Sequence, residues 1–217
     1  MIVTVLDVET TGLIPDSDRI IQFGATVIDT STEKEIDAVN IIIKPRKNSC
    51  YVPYEAYRVH GISEEYIKAN GKLFKSVYKT IESTISRADV VCAYNHSFDK
   101  AFIEHALLGM GTRIPDKDWI DPLLIAQRFI PYSVAPKKNL LAMCAMFDVP
   151  LNKEDAHKAD ADARATGILL FRMLKELDIS ITNVLDPTFK MYGKYHTSQK
   201  HFDPMESLYS GLPKKSI

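Results

Sequence analysis

The sequence predicts an α/β domain built on a mixed, five-stranded sheet with helices on both faces. Three observations carry this. The chain opens with three runs rich in β-branched residues, continues with helical segments alternating with short apolar runs, and then turns to consecutive helical patterns. Residues 2–8 (IVTVLDV) read as a buried strand, and residues 9–18 as a turn-rich loop. Residues 19–29 and 36–44 read as two further strands, and the polar stretch Thr30–Glu35 between them predicts a hairpin. Residues 45–57 read as irregular, with prolines at both ends of their middle part (Pro45 and Pro53), and Ser63-Glu64-Glu65 reads as a helix start. Asn70-Gly71-Lys72 reads as a turn.

The second half alternates. Phe74, Val77, Tyr78, Ile81 and Ile85 form one stripe of a helix over 74–86. Residues 89–93 (DVVCA) read as a short strand. Ser97 is the expected cap of a helix running to about residue 109, with Phe98 and Phe102 turned inward. Trp119-Ile120 reads as a further short strand, and helices are expected over 122–130, 139–147 and 158–177. The domain so defined covers residues 1–178. Residues 179–217 change character: aliphatics thin out, and Phe189, Tyr192, Tyr195, Phe202 and Tyr209 stand among scattered lysines. This stretch reads as an appendage that either tethers a partner or completes the domain.

Composition narrows the class. A chain of 217 residues, 46% hydrophobic and 25% charged, reads as soluble and globular. The net charge of −1 provides no global basic footprint, so any nucleic-acid binding must rest on local patches. Cys50, Cys92 and Cys144 are odd in number and far apart, which argues against a zinc site or a disulfide framework and fits a reducing cytoplasm. The N-terminus lacks the pattern of a signal peptide. No apolar run approaches the ~20 residues that span a bilayer, so no membrane association is expected.

The residues that carry chemistry lie in three segments. Asp7 and Glu9 stand two apart at the end of the first strand, so they face the same side. Held together and desolvated they repel, and a hard divalent cation, magnesium or manganese, is the simplest compensation. Asp99 falls in the first turn of the helix that follows the 89–93 strand, where the helix dipole favours a carboxylate. If that strand lies parallel beside the first, Asp99 reaches the same strand ends, where ligands bind in open α/β sheets. Asp162 opens the buried stripe Asp162, Ala165, Thr166 and Leu169 of the last long helix. His157, five residues earlier, cannot share that face and is expected on the preceding loop. Asp160 is explained by the dipole at the helix start. Four carboxylates and one histidine suffice for two-metal phosphodiester hydrolysis, with the histidine taking a proton from water.

In order and spacing these segments resemble the DEDDh, or DnaQ-like, 3′→5′ exonuclease family, which includes the proofreading ε subunit of bacterial DNA polymerase III. Asp7 to Gly12 matches D-x-E-T-T-G, Asn95 to Asp99 matches N-x-x-F-D, and His157 to Asp162 matches H-x4-D. Val59-His60-Gly61-Ile62 matches an intermediate V-H-G-I feature. The resemblance spans residues 1–177. It implies an RNase H-like fold, two Mg²⁺ or Mn²⁺ ions on Asp7, Glu9, Asp99 and Asp162, and His157 as general base. It further implies that Thr10, Thr11, Gly12, Leu13, His60, Asn95 and Phe98 receive the terminal nucleotides, Leu13 and Phe98 offering apolar surface to a base.

The function expected from the sequence is therefore release of nucleoside 5′-monophosphates from single-stranded or frayed 3′ ends, DNA favoured, in proofreading or repair, with a DNA polymerase as a candidate partner. Two alternatives accompany it: trimming of RNA by the same site, and a non-catalytic module that binds a polymerase or nucleic acid.

Overall fold

The computed structural model describes residues 1–46 and 48–186. Most of the 179–217 appendage therefore lies outside the described residues. The order of elements is β1 (Ile2–Thr10), β2 (Ile20–Asp29), β3 (Lys34–Lys44), α1 (Tyr54–His60), α2 (Glu64–Asn70), β4 (Lys72–Leu73), α3 (Phe74–Ser86), β5 (Val90–Cys92), α4 (His96–Leu108), β6 (Asp118–Ile120), α5 (Pro122–Phe129), α6 (Leu140–Met146), α7 (Ala159–Glu176) and α8 (Ile181–Leu185).

The strands form one mixed sheet in the order β4-β3-β2-β1-β5-β6. β1, β2 and β3 form an antiparallel meander, whereas β5 lies parallel beside β1. This is the neighbour relation that Asp99 needs. The sheet has six strands rather than the expected five. The extra one, β4, is two residues long and pairs with the end of β3, too short to show any alternation.

The faces of the sheet are covered separately. Val3, Val5, Ile28, Val90, Cys92 and Ile120 pack with residues of α5, α6 and α7. Leu6, Val8, Phe23, Ala25 and Val91 pack with residues of α3 and α4. Each fully buried Ile, Leu or Phe in these layers contributes roughly 1.5–3 kcal/mol. Alternation along β1 places Asp7 and Glu9 in the same row as Val3 and Val5, on the side covered by α7. β1 is thus apolar until its last residues, where the row becomes acidic.

Three local expectations need correction. Residues 54–60 form α1 rather than an irregular segment. Only Ala56 and His60 of this helix turn inward, so no apolar stripe announces it. Helix α4 is preceded by Asn95 in a left-handed conformation (φ 65°), and Ser97 lies inside the helix rather than capping it. The cap is supplied from elsewhere, as described below. Finally, Ile179 is buried in the α7-side core and α8 packs against it, so the first residues of the presumed appendage join the domain. Among the described residues no helix is long and apolar enough to cross a membrane.

The approach of α7 to the sheet depends on Gly24. A Cβ at this position would lie 2.2–2.3 Å from the main chain of Ala159 and Asp160, at the first turn of α7. Gln22, one pleat away, receives the Ala159 N–H on its Oε1 (3.2 Å) and donates to Asp160 Oδ1 (3.2 Å). Gly24→Ala must therefore push the start of α7 off β2. The expected cost is about 1–3 kcal/mol, the usual scale for overpacking, read as a lowered thermal midpoint. Asp162, which sits in the displaced turn, should shift with it.

Candidate active site

Four carboxylates from three segments meet at the carboxyl end of β1. Asp7 and Glu9 come from the strand, Asp99 from the first turn of α4, and Asp162 from the first turn of α7. Asp99 is placed by the end of the sheet. β5 stops pairing with β1 at Val5–Cys92, so the Val8 N–H finds no strand partner on that side. Asp99 Oδ1 accepts it at 2.9 Å.

Asp162 is buried, and its Oδ2 accepts the His157 main-chain N–H at 3.0 Å. His157 precedes α7 in a left-handed conformation (φ 67°) with its side chain exposed, on the loop where the spacing placed it. Ligand atoms of Glu9, His157 and Asp162 lie within 4.8 Å of one another.

The electrostatics are those of crowded like charges. Asp7 is densely surrounded by protein, although solvent reaches part of it. Burial, then Asp99, Glu9 and Asp162, push its carboxyl well above the usual range. Glu9, 9% exposed, rises to about 9 through burial and then through Asp162 and Asp99. Burial lifts Asp99 to about 8 against the hydrogen bond from Val8, and Asp162 to about 6 against the hydrogen bond from His157. No lysine or arginine among the described residues forms an ion pair with any of the four. Asp162 Oδ1 is buried without a hydrogen-bond partner there. A set of hard oxygen donors that repel one another, one of them orphaned, fits a divalent cation.

The residues expected around the terminal nucleotide lie in the segments that adjoin these acids in sequence, together with His60 at the end of α1. Thr10 ends β1 and Thr11 begins the turn after it; both are buried, Thr10 Oγ1 donating to the Gly12 carbonyl (2.6 Å) and the Thr11 N–H to the Arg19 carbonyl (2.9 Å). A Cβ on Gly12 would overlap the Asp18 carboxylate. Leu13 stands 81% exposed at the tip of this loop. Phe98, partly buried, packs its ring on Phe102 with centroids 4.9 Å apart. Asn95 is exposed at the start of α4.

His60 ends α1 and is buried. Gly61 follows it in the left-handed conformation (φ 69°) that closes the helix. Burial, and then the nearby His157, lower the His60 imidazole to about 4, with the Thr10 main chain partly offsetting them. His60 Nδ1 accepts the Ile62 N–H (2.9 Å), so the neutral ring carries its proton on Nε2. That buried nitrogen has no partner among the described residues.

One residue of this architecture escaped the sequence reading. Asp121, buried after β6, accepts the main-chain N–H groups of Asn95 (3.0 Å) and His96 (3.1 Å) as well as that of Leu123 (2.8 Å). It thereby caps α4 and α5 together and holds the turn that carries Asp99. Its position immediately before Pro122 at a strand-to-helix junction was the available signal, since an aspartate before an N1 proline is a cap signature. His96 pairs with Asp121 (3.1 Å) and His105 with Asp16 (3.2 Å).

Fold and site together define the class: a nuclease of the RNase H-like fold, with four acids at the end of the central strand. Known proteins agree. Residues 4–170 match the RNase_T exonuclease family. The DNA polymerase III subunit epsilon of Rickettsia typhi is 31% identical over 201 residues, covering 88% of this chain and 78% of that protein. Among solved structures, Escherichia coli exonuclease I in complex with a dT13 oligonucleotide superimposes with a TM-score of 0.66 at 21% identity, over 80% of this chain but only 41% of exonuclease I. Exonuclease X in complex with 5′-overhanging duplex DNA superimposes at 0.62 and 17% identity, over 85% of this chain and 98% of that one. The chain belongs to the DEDDh, or DnaQ-like, 3′→5′ exonuclease family.

Proposed function

We propose that this protein removes nucleotides one at a time from the 3′ end of single-stranded or frayed DNA, using two divalent metal ions and releasing nucleoside 5′-monophosphates. The observation that supports this best is the meeting of Glu9, His157 and Asp162 within 4.8 Å, with Asp162 Oδ1 orphaned among them. Asp7, Glu9, Asp99 and Asp162 would hold Mg²⁺ or Mn²⁺. Bound there, such ions neutralise the phosphodiester and lower the pKa of a water.

The chain's own groups do the rest. His157, exposed at the mouth of the site and fixed by its N–H to Asp162, takes the proton of the attacking water on its imidazole. Neutral His60, packed beside the Thr10 main chain, supports the turn that receives the terminal nucleotide. The turn Thr10-Thr11-Gly12 and Asn95 position that nucleotide, while Leu13 and Phe98 offer apolar surface to its base.

The choice of DNA rests on the relatives, named as a DNA polymerase III subunit and as an exonuclease in complex with an oligodeoxynucleotide. The first of these extends the reading to proofreading beside a DNA polymerase in the cytoplasm. Digestion of matched 5′-labelled DNA and RNA strands with Mg²⁺, with Mn²⁺ and with EDTA tests it. The expected result is stepwise shortening of the DNA with either metal, faster than the RNA, and none in EDTA. Equal shortening in EDTA would contradict the metal assignment, and preferential loss of the RNA would contradict the substrate.

A further inference from the structure

A cavity of about 260 Å³ opens beside the loop that carries Leu13, on the α4 side of the sheet. One wall is that loop, through Pro15, Asp18 and Arg19, and the other is α4 from Phe102 with the turn that follows it, through Gly109 and Met110. The end of β3, with Lys44, closes a third side. We propose that this cavity seats the upstream nucleotides of the bound strand, with a backbone phosphate held between Arg19 and Lys44. This rests on the 3′-exonuclease reading and adds to it a second place where the substrate is gripped.

Continuity with the active site is the first reason. Phe98, Phe102 and Ala106 follow one another at helical spacing along α4, with Gly109 at its C-cap, so the stripe that begins at Phe98, the residue proposed to meet the terminal base, runs into the cavity. The Phe98 ring rests on Phe102, which lines the cavity. The opposite wall belongs to the loop whose tip exposes Leu13 (81%) and Ile14 (61%). His105 Nδ1 and Asp16 Oδ1, 3.2 Å apart, hold the two walls together. A strand leaving the site between Leu13 and Phe98 is thus led into this space.

Charge is the second reason. The four acids make the catalytic end hostile to a polyanion without metal, and the chain as a whole carries a net charge of −1. Cations must therefore be supplied locally. The Lys44 ammonium group makes no hydrogen bond or ion pair among the described residues, while its main chain pairs with Leu73 of β4. Arg19 uses its Nη1 on the carbonyls of Asp16 (3.2 Å) and Asp18 (2.6 Å) and retains other donors. The two cations of the cavity wall stand against one acid, Asp18, whose carboxylate accepts the Ile14 N–H (2.9 Å) and the Thr11 hydroxyl (3.4 Å) on the loop side. Cationic groups above an apolar floor of Ile20, Ile43 and Phe74 suit a sugar–phosphate chain with its bases.

Two variants test this. Lys44→Gln removes the free cation. Gly109→Phe fills the cavity, since a Cβ at this position meets nothing closer than 3.4 Å. Each is assayed on a 12-nucleotide DNA strand and on the p-nitrophenyl ester of thymidine 5′-monophosphate, which is too short to reach the cavity. The ratio of kcat/KM on the strand to kcat/KM on the ester should fall about fivefold in both variants, the scale of one lost phosphate contact. In Lys44→Gln the slope of log kcat/KM on the strand against log salt should also become shallower by about 0.7, as expected for one phosphate contact to a single strand. A ratio unchanged in either variant overturns the proposal. Hydrolysis of neither substrate by the unaltered protein would instead contradict the exonuclease reading itself, and the subsite with it.

Discussion

Asp162→Asn is expected to cost about 10³-fold in turnover, the several kcal/mol that a metal-binding carboxylate supplies to a phosphodiester transition state, while making the metal-free protein more stable. The substitution preserves shape. Its carbonyl oxygen can still accept the His157 N–H, which Asp162 Oδ2 now receives at 3.0 Å. What it removes is one of four mutually repelling acids that have no lysine or arginine partner among the described residues, and the one whose carboxyl is raised least. Relief of that repulsion should raise stability in EDTA by about 0.5–2 kcal/mol, the usual gain where an active site is electrostatically strained. Nuclease assay and thermal unfolding on the same preparation measure both effects. Retained activity, or a thermal midpoint lowered in EDTA, would contradict this view of the site.

The same crowding makes the stability of the metal-free protein depend on pH in an unusual direction. Carboxylates that are paired in a folded protein usually have depressed pKa values and stabilise it above the acid range. Here the shifts are upward: Glu9 goes from its ordinary 4.5 to about 9, and Asp99 from 3.8 to about 8. The folded state therefore holds protons that the unfolded state has already released. The stability this provides is complete below about pH 4 and drains away as pH rises toward 8–9. In EDTA the thermal midpoint should fall steadily between pH 5 and pH 9 (about the window of these shifts). Adding Mg²⁺ or Mn²⁺ should raise the midpoint most at the alkaline end, where the acids are free to bind. A midpoint that rises with pH in EDTA, or a metal effect largest at pH 5, would contradict the assignment of these four residues.

Much of the architecture could be read from the chain because its signals are local. β1 declares itself by β-branched residues, and the acids at its end stand out because they interrupt an apolar row. Asp99 and Asp162 occupy the first turns of helices whose apolar stripes are regular, and the convergence of Asp99 on Asp7 and Glu9 needed only that β5 lie parallel beside β1. The signals that failed are short or distant. β4 is two residues long, and α1 turns only Ala56 and His60 inward, so neither has a pattern to recognise. Ser97 looks like a cap because nothing nearby reveals that Asp121, more than twenty residues downstream, takes the free N–H groups of Asn95 and His96. The same distance hides the partner of His105 and the support that Gln22 and Gly24 give to the start of α7. These contacts are products of the assembled fold, and they hold in place residues whose identities were already conspicuous.

The most direct test of the central claim follows a 5′-labelled single strand in Mn²⁺ with the unaltered protein, with Asp7→Ala and with His157→Ala. The unaltered protein should shorten the strand from its 3′ end in single-nucleotide steps. His157→Ala should be slower by about 10²–10⁴-fold, the range for loss of a general base, and Asp7→Ala slower still, with both variants folded. Undiminished shortening by both purified variants would show that the acids and the histidine gathered at the end of β1 are not the machinery of this enzyme.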